Sequence, residues 1–136
     1  MSTMQQTTYG LSTPTSLSFD EAVERITDEL KAEGFGVLTT IDIQKTLKEK
    51  IDVDRDRYVI LGACNPQLAN LAINAEPEIG LLLPCNVIVY ESEGVTHVAA
   101  MDPAAAMGIV GNPGLDQVGS DARERLVRAL EKLPVR

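Results

Sequence analysis

The chain has 136 residues, 44% of them hydrophobic, enough for one domain with a substantial core. Two Phe, three Tyr and no Trp mean that this core has to be aliphatic. A formal charge of −8, from 20 acidic and 12 basic residues, repels phosphate backbones and argues against a nucleic-acid partner.

The positive charges are scattered. Their one small cluster, KTLKEK at 45–50, is diluted by Glu49 and by the neighbouring Asp42 and Asp52. The N-terminal MSTMQQTTYG lacks the charged and apolar regions of a secretory signal. No apolar run nears the roughly 20 residues of a membrane span. The expectation is a cytoplasmic protein forming a single domain over residues 1–136, with no membrane partner. In a reducing compartment Cys64 and Cys85 are core fillers, ligands or reactive thiols, not a disulfide framework.

Residues 5–16 read as a first strand, weakened by Gly10 and ended, or held at a sheet edge, by Pro14. Ser18 and Glu21 form a capping box, and Phe19, Ala22, Val23, Ile26 and Leu30 recur on one helical face. A helix over 18–33 follows, with Gly34 where a left-handed residue belongs. From Phe35 the period becomes two, and Phe35, Val37, Thr39, Ile41 and Ile43 predict one face of a half-buried strand. Residues 44–50 read as one or two helical turns anchored by Leu47. Asp52, Asp54 and Asp56 alternate through a solvated turn that lacks the glycine and distal glutamate of a calcium loop.

Tyr58 to Leu61 is a short apolar strand broken at Gly62. Asn65-Pro66 supplies an N-cap and a first-turn proline for a helix over 65–75, with Leu68, Leu71, Ala72 and Ala75 inward. Glu76-Pro77 stops it, and Ile79 to Glu91 reads as the longest strand. Its two faces are Ile79, Leu81, Leu83, Cys85, Val87, Val89 and Leu82, Pro84, Asn86, Ile88, Tyr90. Pro84 implies a bulge or a sheet edge beside Cys85. The second face is too apolar for open water, which predicts a homodimer.

A turn at Ser92-Glu93-Gly94 leads to a return strand, Val95 to Met101, with Val95, His97, Ala99 and Met101 on one side. Asp102-Pro103 ends it and opens an Ala-rich turn; residues 108–114 read as a loop with three glycines. A helix over 115–132 carries Leu115, Val118, Ala122, Leu126 and Leu130 on one stripe, with Leu133 continuing it. The order β-α-β-β-α-β-β-α predicts an α+β two-layer sandwich, a mostly antiparallel sheet with helices packed on one face.

Chemistry is sparse. Cys64 falls where a strand gives way to a helix N-terminus, a place that lowers a thiol pKa and suits a nucleophile; it suits a small buried side chain at a tight turn equally. Parity puts Cys85 on the aliphatic face. A turn passing near Pro84 brings the two cysteines together, with Asn65 and Asn86 adding amide groups to one small pocket. His97, the one histidine, is either a surface strand residue or part of that site. C-x-x-C, a Cys/His zinc set, a phosphate loop and G-x-S-x-G are all absent, so no metal or cofactor is assigned. Met101 and Met107 are the only further soft donors near the cysteines for a Cu(I) site.

The segment CNPQLANLAINAEPEIGLLLPCNVIVYESEGVTHVAAMDP resembles the bacterial and archaeal family called domain of unknown function 302. Asn65-Pro66, Pro77, Leu83-Pro84, Gly94 and Asp102-Pro103 match that family's pattern in order, and the likeness spans about residues 5–107. The resemblance implies a two-layer α/β fold and a homodimer, with no established activity. Where some members carry an Arg-His pair this chain has Met107-Gly108, so a function resting on that histidine is not implied. The expected function is a homodimeric binding or sensing module for a small ligand or soft metal, with its site at Cys64, Asn65, Pro84, Cys85 and Asn86. The alternative is a thiol-dependent redox or sulfur-handling enzyme using Cys64.

Overall fold

A computed structural model describes residues 4–135. Six strands form one sheet: β1 (Gln5–Gln6), β2 (Gly10–Thr15), β3 (Gly36–Asp42), β4 (Tyr58–Cys64), β5 (Cys85–Ser92) and β6 (Val95–Met101). Their spatial order is β1-β2-β6-β5-β4-β3, and every pairing is antiparallel. Five helices accompany it: α1 (Phe19–Ala32), α2 (Ile43–Ile51), α3 (Pro66–Ala75), α4 (Pro103–Val110) and α5 (Asp116–Glu131). The expected α+β architecture is the one observed. Helices α1, α3 and α4 all pack on α5, forming one layer over one face of the sheet, while α2 lies against β3 and β4.

Local chemistry explains most boundaries. The Ser18 hydroxyl accepts from the Glu21 N–H, and the Glu21 carboxylate accepts from the Ser18 N–H, so the capping box opens α1 as predicted. Gly34 ends it at φ +88°, a conformation that disfavours any Cβ. Asp42 caps α2 and Asn65 caps α3 with Pro66 at the first helical position. Glu93 and Gly94, both at positive φ, make the tight turn joining β5 and β6. The stripe Leu115, Val118, Ala122, Leu126, Leu130, Leu133 is buried throughout, as its period requires.

Several expectations need correction. The strand expected from Ile79 starts only at Cys85; residues Pro77–Leu82 form a 3-10 turn that buries Ile79. An aperiodic apolar run does not by itself distinguish helix from strand, and Pro77 and Gly80 tip it toward a turn. Pro84 therefore precedes β5 instead of interrupting it. The sheet's irregularity sits in β3, where the register shifts between Val37 and Thr39. That extra residue, Leu38, reverses the alternation: Val37 opposes buried Ala63, whereas Thr39 and Ile41 oppose Gly62 and Ile60 on the other face. The half-buried face predicted for Phe35 to Ile43 is thus split, and β3 is an almost fully exposed edge strand.

Strand β4 runs through Gly62 to Cys64 instead of breaking. A Cβ at Gly62 would collide with Thr39 Oγ1 and stand 3.0 Å from Pro84 Cγ, so glycine here permits close packing, not a turn. Residues 108–114 are more ordered than a loop: α4 reaches Val110, Gly111 caps it at φ +74°, and Pro113–Leu115 form a 3-10 turn. The first strand divides into β1 and β2, with Thr7 closing the turn between them; β1 covers only Leu11 and Ser12, which leaves Pro14 beyond its reach. In α3 the inward set narrows to Leu68 and Ala72, with Ala75 half-buried and Leu71 exposed.

Candidate functional site

Strand β4 ends at Cys64 and α3 begins at Pro66, so one residue, Asn65, makes the junction. Its Oδ1 accepts the Leu68 N–H at 3.1 Å and it is buried. Gly34 leaves room for this amide, since a Cβ there would stand 2.9 Å from Asn65 Nδ2. Asn65 is thus a structural cap whose Oδ1 is already committed.

The register pairs Ala63 with Cys85. Opposed Cα atoms lie about 4.5–5.5 Å apart and chain neighbours about 3.8 Å, which puts the Cα atoms of Cys64 and Cys85 within about 9 Å of each other. Alternation, however, assigns Ala63 and Cys85 to the helix-covered face and Cys64 to the reverse. Both thiols are free, Cys85 buried and Cys64 half-buried. Burial pushes the Cys85 thiol up to about 11, and a charge on Cys64 adds to the rise. Cys85 is therefore protonated core packing at neutral pH, and any thiol chemistry falls to Cys64.

Cys64, Asn65, Pro84 and Cys85 border one cavity of about 30 Å³. Phe35, Leu68, Ala72, Met107 and Val118 add to its wall, from the helical layer and the chain before β3. Such a volume holds one or two waters, about a tenth of the smallest ordinary ligand pockets. Its wall is apolar apart from the Asn65 amide, whose Oδ1 is occupied. A small uncharged or soft ligand fits that chemistry; a charged one does not.

The other two candidates lie elsewhere. Asn86 is exposed and opposes Gly62, and His97 stands on β6, two strands from β4. What sequence reasoning missed is a stacked row across three strands. The Tyr58 and Tyr90 rings are 5.6 Å apart at 25°, and Tyr90 and His97 are 5.0 Å apart at 15°. The Arg55 guanidinium extends the row, 5.6 Å over Tyr58. Parity gave Tyr90 and His97 a face on their own strands, but only the register aligns them with Tyr58. Among the described residues no group of three or more His, Cys, Asp or Glu is placed to hold a metal, and no helix is long and apolar enough to cross a membrane.

Both the sequence and the fold have counterparts in known proteins. The sequence matches the family described as Domain of unknown function DUF302 over residues 11–133. The chain belongs to the DUF302 family. A crystal structure of an uncharacterized conserved DUF302 protein from Bacillus stearothermophilus superposes with a TM-score of 0.87 at 32% identity, covering 91% of this chain and 97% of that one. No curated protein matches. The DUF302 assignment thus confirms the resemblance and extends it beyond residue 107, through α5, while naming no activity.

Proposed function

We propose that this DUF302 chain is a homodimeric binding or sensing module whose ligand site is the cavity at the junction of β4 and α3. The observation behind this reading is that two pairs of chain neighbours about 20 residues apart, Cys64-Asn65 and Pro84-Cys85, border one apolar cavity. At about 30 Å³ the cavity selects a very small apolar or soft ligand unless α3 moves away from α5. Native mass spectrometry of the purified protein tests this directly. A bound mass that is lost in Leu68→Trp, a substitution that fills the cavity, is the expected result. A protein that carries no added mass and shows no thermal shift with Cu(I) or small apolar probes overturns the reading.

A second reading takes Cys64 as a nucleophile. It is favoured by the position of this half-buried thiol, two residues before the first residue of α3. Its test is the rate of alkylation by iodoacetamide at pH 7. A Cys64 that reacts no faster than free cysteine counts against enzymatic thiol chemistry, and Cys85 in the same sample is the slow internal control.

A further inference from the structure

We propose that the groove between the Pro77–Leu82 turn and the C-terminal end of α4 docks a basic, amphipathic segment of another protein. This goes beyond the ligand reading above and depends neither on the cavity nor on a homodimer.

Local geometry turns apolar side chains outward here. With three residues per turn, the 3-10 segment puts Ile79 and Leu82 on one face and Leu81 on another. Ile79 is buried, Leu82 half-buried and Leu81 85% exposed. Helix α4 reads PAAAMGIV, without one polar side chain, and a helix that is apolar all round is normally buried all round. This one is not: Ala106 and Met107 are buried, but Gly108 is exposed and Ile109 is 80% exposed. Leu81 and Ile109 are the two most exposed large apolar side chains among the described residues. The Asn112 amide, just past α4, ties that end to α3 and the turn, donating to the Ala75 carbonyl at 3.0 Å and to Glu76 Oε1 at 3.1 Å. Ile79, Leu81, Leu82 and Val110 then line an open groove of about 270 Å³ with Glu76 and Glu78.

Charge identifies the partner. All 12 Lys and Arg lie outside residues 58–122, and the groove has only carboxylates among its charged lining. Acids elsewhere on the helical layer are matched: Asp102 by Arg123, Asp121 by Arg125, Glu33 by Arg128. Among the described residues the Glu78 carboxylate has no partner, and Glu76 has only the neutral Asn112 amide. An acidic, unmatched rim beside an apolar groove suits an apolar side chain flanked by Lys or Arg. It does not suit a second copy presenting the same patch, which sets Glu78 against Glu78, nor an anionic lipid surface. A groove of this size supports a weak, transient contact.

The test titrates the methyl-labelled full chain with three synthetic peptides of equal length. One carries Leu and Lys in helical period, one has Glu for each Lys, and one has Ser for each Leu. Only the Leu/Lys peptide is expected to bind, with a dissociation constant of about 10–100 μM, shifting the methyl signals of Leu81, Leu82, Ile109 and Val110. Leu81→Ser is expected to weaken binding about tenfold. Glu78→Lys should weaken it at least about fivefold, whereas Glu49→Lys, the same charge change on α2, should not. Equal binding of the Leu/Glu peptide removes the charge argument, and equal binding of the Lys/Ser peptide removes the groove; either overturns the proposal. So do shifts confined to other methyls, or no binding up to about 1 mM. Vesicles of zwitterionic lipid that shift the same methyls more strongly than the peptide overturn it in favour of a membrane surface. The mapping uses the wild type, so it decides the matter even if a variant misfolds.

Discussion

Ile60 and Leu61 are neighbours in β4, both aliphatic, each opposed on β5 by another aliphatic residue, Ile88 and Val87. Leu61 is 1% exposed and Ile60 is only half-buried. Hydrophobicity does not separate them; the alternation of the strand and the placement of α1 and α5 do. Leu61 shares its side of β4 with buried Val59 and Ala63, whereas Ile60 shares the other side with half-buried Tyr58.

The comparison is sharpest in stability. Leu61→Ala leaves a void in the buried core and is expected to destabilise by about 3 kcal/mol in urea unfolding. Gly62→Ala, the next residue, is expected to cost about 1–3 kcal/mol, because the new methyl meets Thr39 and Pro84. Ile60→Ala should cost about 1 kcal/mol at low protein concentration, since the site is already half in water. Equal losses at Leu61 and Ile60 in dilute solution would break the distinction between the faces.

Sequence reading was strongest where one side chain enforces one conformation. The Ser18 capping box, the Asn65-Pro66 start of α3 and the stripe of α5 stand where pattern placed them, because each is decided within a few residues. It failed where the deciding contact is remote. The bulge at Leu38 follows from packing Gly62 against Thr39, which no local window contains. The run Ile79–Leu83 is apolar without a period, so length suggested a strand and the turn at Pro77 decided otherwise. For the site, proximity of Cys64 and Cys85 was readable, but their opposite faces followed only once β4 was seen to extend through Gly62. The aromatic row needed the register of three strands.

The smallest effect concerns a charged pair within the helical layer. At the end of α1, the Arg128 guanidinium of α5 donates from Nη2 and Nε to Glu33 Oε1 at 2.9 and 3.1 Å. That hydrogen bond holds the Glu33 carboxyl below its usual 4.5, against the partial burial that would raise it. A carboxyl lowered on folding adds stability above the usual value, and that contribution disappears as the pH falls through the lowered one. Arg128 is half-exposed, so water screens the pair and the effect is small. Urea midpoints for the wild type and Arg128→Ala should differ slightly at pH 6 and converge as the pH drops below 4.5.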